Sequence, residues 1–189
     1  SNAVPFTNYS VHFVACTAGG CTESEGVPVI TFEEAPEGVS APTALEQGGF
    51  HIVIGWKLPR YPNGIITGYI LYIERDTVYQ GAEYSYTATG LLVYTGYRVL
   101  LEACTRVGCT QSDEVVLTTS QLPPSDMAPP TLTVLGKSRI QVDWERPEQL
   151  NGDLERYLLY VSTNDTDMGQ ETYNSTDQFL YYTLTALTP

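Results

Sequence analysis

The chain has 189 residues, 9 of them basic and 22 acidic, for a formal net charge of −13. That balance argues against nucleic acid and anionic lipid as partners, because both require basic surface. No apolar run approaches the roughly 18 residues of a membrane-spanning helix, and the length allows one or two domains.

In chain order, Ser1-Asn2-Ala3 reads as an expression scar and stays outside the fold. Tyr9, Val11, Phe13 and Ala15 then alternate on one face, the period-two signature of a half-buried strand. Cys16-Thr-Ala-Gly-Gly-Cys21 follows, and the strand returns towards Thr31. The short linker Glu33-Glu-Ala-Pro36 is stiffened by proline. A strand comes next, with Ile52, Ile54 and Trp56 inward and His51 and Gly55 outward. Pro59-Arg-Tyr-Pro-Asn-Gly64 is a turn by its proline and Asn-Gly. Tyr69, Leu71 and Ile73 form one further inward face, and Tyr97, Val99, Leu101 and Ala103 another. Cys104-Thr-Arg-Val-Gly-Cys109 closes that hairpin. After a second linker, Gln121-Leu-Pro-Pro124, the series restarts. Ile140, Val142 and Trp144 point inward, Pro147-Glu-Gln-Leu-Asn-Gly152 turns, and Tyr157, Leu159 and Val161 alternate. No stretch keeps a helical period.

The restart is a repeat at an offset of 88 residues. Tyr9 maps to Tyr97, Cys16 to Cys104, Cys21 to Cys109, Ser24 to Ser112, Thr31 to Thr119, Trp56 to Trp144 and Tyr69 to Tyr157. A constant period of this size is a tandem array of small domains. Each buries a core of its own, though marginally at under about 100 residues.

The cysteines form two C-x4-C pairs. A zinc site needs four clustered ligands, whereas these pairs lie 88 residues apart and the only histidines are His12 and His51. Free buried thiols are a second reading. The favoured one is a disulfide across each hairpin tip, Cys16 with Cys21 and Cys104 with Cys109. Such bonds imply an oxidising compartment, outside the cell or in a secretory lumen. So small a loop gains only about 2 kcal/mol from closure, so the bond chiefly shapes the loop.

Short alternating strands, an inward Trp on the second and a Tyr opening the sixth describe an all-β, immunoglobulin-like sandwich. The chain here resembles the fibronectin type III family, through Pro36, Trp56, Asn63-Gly64, Gly68-Tyr69, Leu91, Tyr97 and Thr118-Thr119. The resemblance makes Leu91 and Tyr97 part of a tyrosine corner, L-x-P-x-T-x-Y, with Val93 where proline is usual. Trp56, Tyr69, Trp144 and Tyr157 become the core signature of two copies. The doubled pattern Ala-Cys-Thr-x-x-Gly-Cys-Thr-x-Ser is similar to the cysteine-clamped modules of very long cell-surface arrays in sensory cells. That resemblance implies links of stereocilia and photoreceptors, with type IV collagen and fibronectin as matrix partners beside the other modules of the array.

The phase of the repeat predicts three parts. Residues 4–32 are the F–G hairpin of one module, 33–120 are a complete module, and 121–189 supply strands A to E of another. Leu187-Thr-Pro189 would then fall inside a second tyrosine corner. Neither fragment buries its inward face alone. The complete module between them spans roughly 35 Å, about ten strand residues at ~3.4 Å each. The expectation is therefore a domain-swapped homodimer, or an open chain, in which one molecule's hairpin completes another's A–E half. It would belong to this length of chain rather than to the native array.

No catalytic motif is present: no G-x-S-x-G, P-loop, H-E-x-x-H or C-x-x-C. No cofactor is implied. Asn8, Asn164 and Asn174 head N-glycosylation sequons. Asn164-Asp-Thr-Asp167 has too few oxygens for calcium. His12 and His51 read as surface. Glu23, Glu25, Glu33, Glu34 and Glu37 read as a solvated hairpin and linker. Tyr72 and Tyr160, beside Ile70 and Leu158, form an apolar outward strip, read first as covered by the neighbouring C′ strand and alternatively as a contact surface. The reading is a non-enzymatic, extracellular segment that spaces modules and presents binding surfaces. The alternative is a ligand-binding ectodomain segment of a signalling receptor, although no W-S-x-W-S motif supports the cytokine-receptor version. A third class is an accessory module of a secreted carbohydrate-active enzyme, which the cysteines and sequons disfavour.

Overall fold

A computed structural model describes residues 3–163, 168–176 and 179–185. Among them the chain is all-β, and it divides into two compact units, Ser1–Ser120 and Gln121–Pro189.

The first unit opens on a long hairpin. β1 (Asn8–Val11), β2 (Val14–Thr17), β3 (Gly20–Glu23) and β4 (Val27–Ile30) run antiparallel, β1 on β4 and β2 on β3. Ser24 bridges the break between the two halves. Its hydroxyl accepts from the Phe13 N–H at 3.1 Å and donates to the Glu25 carbonyl at 3.1 Å.

Next come β5 (Thr43–Gln47), β6 (His51–Gly55), β7 (Gly68–Ile73), β8 (Asp76–Gly81), β9 (Ser85–Thr89), β10 (Gly96–Cys104), β11 (Cys109–Gln111) and β12 (Val115–Thr118). They form two sheets. One orders β5-β6-β9, strands A, B and E. The other orders β11-β10-β7-β8 with β12 also on β10, strands G, F, C and C′. Alternation carries the residues predicted to point inward into one core. Ile52, Ile54 and Trp56 meet Tyr69, Leu71, Val99, Leu101 and Ala103, all buried. β10 lies on β7 with Leu101 opposite Leu71 and Ala103 opposite Tyr69. Gly55 differs from expectation. Its parity is outward, yet it is buried, because the Leu45 side chain lies where a Cβ would stand, 2.6 Å from Cδ1.

The second unit holds β13 (Thr131–Gly136), β14 (Arg139–Asp143), β15 (Tyr157–Val161), β16 (Gln170–Ser175) and β17 (Tyr181–Leu184). β13-β14-β17 repeats the A-B-E sheet, and β15-β16 repeats the C-C′ ribbon. The aromatic core recurs as well. Trp56 lies 5.9 Å from Tyr69 and 5.6 Å from Tyr79, and Trp144 lies 5.7 Å from both Tyr157 and Tyr173. Tyr173 sits six positions beyond the 88-residue equivalent of Tyr79, so the longer segment between β15 and β16 is absorbed without losing the third ring.

Candidate functional site

Three segments converge where the first linker enters the complete sandwich. The turn before β7 contributes Asn63, at a positive φ of 52°. Asparagine tolerates this left-handed conformation better than most residues. It also turns its side chain onto the linker, and Nδ2 donates to the Ala35 carbonyl at 3.1 Å. The Glu34 N–H donates to the Asn63 carbonyl at 2.9 Å, and Glu37 and Tyr61 exchange backbone bonds of 2.8 and 3.0 Å. The linker is thus hydrogen-bonded as a strand would be, which is stiffer than proline alone would make it.

The cysteine loop closes the other side. Cys104 and Cys109 face each other across the β10–β11 ladder and are joined Sγ to Sγ, as are Cys16 and Cys21. Inside the clamped loop, the Thr105 N–H donates to the Gly108 carbonyl at 2.9 Å. The Thr105 hydroxyl reaches out and donates to the Glu34 carbonyl at 3.0 Å. Arg106 Nε donates to Glu33 Oε2 at 2.7 Å. Glu33 is buried while Arg106 is largely exposed, so the guanidinium lies over the carboxylate and shields it.

This corrects the expectation for the acidic run. Glu23, Glu25, Glu34 and Glu37 are exposed, but Glu33 is not. Burying a carboxylate is costly unless it is paired, and Arg106 supplies the pair. Gly64 supplies the room, since a Cβ there would stand 3.0 Å from Glu33 Cγ. Sequence reasoning missed both partners, because Glu33 and Arg106 are 73 residues apart and neither recurs at the offset. Gln121 replaces Glu33, and Ala18 replaces Arg106.

The second linker repeats the neutral part of the clasp. Asn151, at φ 54°, donates through Nδ2 to the Pro123 carbonyl at 2.9 Å. The Leu122 N–H donates to the Asn151 carbonyl at 2.9 Å. Gln121 Oε1 accepts from the Asp153 N–H at 2.9 Å.

The remaining predicted positions fall as follows. Tyr97 closes a tyrosine corner by accepting from the Leu92 N–H at 2.7 Å, and Tyr9 does the same with Val4 at 2.7 Å. Leu91 packs on the core. Asn8 is exposed on β1. Asn174 is exposed on strand β16 rather than in a loop, with Nδ2 donating to Glu171 Oε1 at 3.1 Å. Asn164 and the tail at Pro189 lie outside the described residues. His12 pairs with Glu23 at 2.9 Å, and His51 with Glu46 at 3.3 Å, at the surface. The Tyr72 hydroxyl donates to Glu102 Oε2 at 2.9 Å, and that bond, helped by burial, raises its pKa. Burial foremost, with Tyr84 beside it, pushes the Tyr69 hydroxyl up further. Among the described residues no group of three or more His, Cys, Asp or Glu is placed to hold a metal.

No family model matches the chain. Mouse usherin is 44% identical over 188 residues, which are 98% of this chain and 4% of usherin. The chain is built of fibronectin type III modules similar to those of usherin. Rat phosphatidylinositol phosphatase PTPRQ is 29% identical over 176 residues, 86% of this chain and 8% of PTPRQ. The chain therefore spans only a small fraction of either relative, and the phosphatase matches through its fibronectin type III region. The rat CD45 extracellular region, domains d3–d4, shares the fold. Its TM-score is 0.50 at 18% identity, covering 63% of this chain and 67% of that one. With the two disulfides, these relatives place the modules outside the cell, as part of an adhesion or receptor ectodomain.

Proposed function

We propose that the chain is a non-enzymatic segment of a fibronectin type III array that acts as a semi-rigid spacer and adhesion or protein-interaction module. In usherin-like links of sensory cells, such as those of stereocilia and photoreceptors, it would set the orientation of successive modules. Type IV collagen, fibronectin and neighbouring modules are the partners such an array implies, and Asn8, Asn164 and Asn174 are the positions for glycans. One observation carries the spacer reading: a disulfide-clamped loop grips the incoming linker through Thr105 and Arg106. Clamping removes loop freedom before the contact forms, so less entropy is lost in holding the linker.

The test is 15N relaxation on this chain. Amides of β1–β4 and of β5–β12 should report one rotational correlation time. Arg106→Ala combined with reduction of Cys104–Cys109 should free the hairpin. A hairpin that tumbles independently in the unaltered chain would end the spacer reading. The 29% match to PTPRQ keeps one second reading, a ligand-binding ectodomain segment of a signalling receptor.

A further inference from the structure

We propose that the inner face of the β1–β4 hairpin seats on strand β15 of a second copy of this chain, in the register that β10 takes on β7. The proposal does not depend on the spacer reading. It rests on two half-built surfaces and on a finished example of their union in the same molecule. Val11 and Phe13 are 59% and 70% exposed, although their equivalents Val99 and Leu101 are fully buried. Val27 and Val29 on β4 are exposed beside them and line the same apolar hollow. In the second unit an apolar groove is lined by Met127, Ala128, Pro130, Trp144, Tyr157 and Leu159. Met127 is 56% exposed where its equivalent, Val39, is buried.

The backbone edges match too. Among the described strands β15 pairs only with β16, whereas its equivalent β7 lies between β8 and β10. An open edge carries a row of unpaired N–H and C=O groups, a template for another strand. The complete module specifies the seating: Val99 opposite Ile73, Leu101 opposite Leu71, Ala103 opposite Tyr69. Moved by 88 residues in each direction, this puts Val11 opposite Val161, Phe13 opposite Leu159 and Ala15 opposite Tyr157. A one-residue slip would turn Phe13 and Val11 to solvent, so the register is determined. Phe13 alone would bury about 150–250 Å² in each seating, and Val11, Val27 and Val29 add to it.

Sedimentation equilibrium of the chain, from micromolar to near-millimolar concentration, tests the seating. The expected mass is twice 20.8 kDa or a larger multiple. Phe13→Asp should return it to 20.8 kDa, while Phe32→Asp, beyond the end of β4, should leave it unchanged. An unaltered melting temperature of the β5–β12 sandwich in Phe13→Asp separates dissociation from misfolding. In a mixture of Val14→Cys chains and Leu158→Cys chains, which the register places opposite each other, a covalent dimer should form on oxidation. A monomer at every concentration would overturn the proposal. So would an oligomer indifferent to Phe13→Asp, or a dimer that gives no 14–158 cross-link.

Discussion

The two F–G hairpins make the same hydrogen bonds and bury different side chains. In the hairpin of residues 4–32, the Thr31 hydroxyl accepts from the Thr7 N–H at 2.9 Å and donates to the Val4 carbonyl at 2.6 Å. In the complete module, Thr119 does so with Thr95 at 2.9 Å and Leu92 at 2.7 Å. Ser24 and Ser112 both accept, at 3.1 Å, from the inward residue of the facing strand. Both tyrosine corners close. Even the residues inside the corner agree, Phe6 at φ 44° and Tyr94 at φ 47°. What differs is the second sheet, and with it the burial of Val11, Phe13 and Ala15 against Val99, Leu101 and Ala103, while Tyr9 and Tyr97 are both half-buried. The hairpin's shape is thus encoded by local polar contacts, and its stability is not.

The sharpest way to break this comparison is to remove equivalent apolar side chains. Leu101→Ala opens a cavity between two sheets and should destabilise the sandwich by about 2–5 kcal/mol. Phe13→Ala, in dilute monomer, should leave the same unfolding transition where it was. Denaturant unfolding of both variants checks this. Equal losses would mean that the hairpin face is already covered.

A middle-sized effect should separate the threonines. Thr119 is buried, so Thr119→Val leaves the Thr95 N–H and the Leu92 carbonyl, both in part-buried bonds, without this partner. That costs about 1–3 kcal/mol. Thr31→Val removes the same bonds where water replaces them, so it should cost less. Hydrogen exchange at the Thr95 and Thr7 amides reads the two directly. Protection lost equally at both would show that solvent access does not set the difference.

Strand parity and the cysteine pairs were legible because each depends on spacing within a few residues, and the repeat because a single offset of 88 residues recurs along the chain. Trp144 and Tyr157 could be placed from Trp56 and Tyr69 by offset alone. The clasp was not legible, for a reason visible in its members. Glu33 reads as one more acid in an acidic stretch, and its burial depends on Arg106 beyond six intervening strands and on the missing side chain of Gly64. The serines and threonines lay in plain view as repeats at positions 24, 112, 31 and 119. A repeat marks a position without saying which backbone group it serves. Gly55 failed for a similar reason: alternation predicts which way a side chain points, not whether a neighbour such as Leu45 folds over it.

The smallest expected effect concerns the outward strip, where the copies differ by one partner. The Tyr72 hydroxyl donates to Glu102 on the adjacent F strand at 2.9 Å. Among the described residues of its own unit Tyr160 has no such strand, and it reaches Glu171 on β16 at 3.5 Å instead. The Glu102 bond favours the neutral phenol, which is why the Tyr72 pKa is raised above the ordinary value of 10.0. The linkage has a definite sign. The bond's contribution to stability is whole below the ordinary phenol value and is lost as pH rises through the raised one. Glu102→Gln keeps the shape but removes the negative charge that resists ionisation, so Tyr72 should titrate earlier. Ultraviolet titration of the phenolates, with Tyr72→Phe to identify the signal, reads that shift. Should Glu102→Gln leave the titration unmoved, burial would have to explain the raised value, and the outward strip would be drier than its position on the sheet surface suggests.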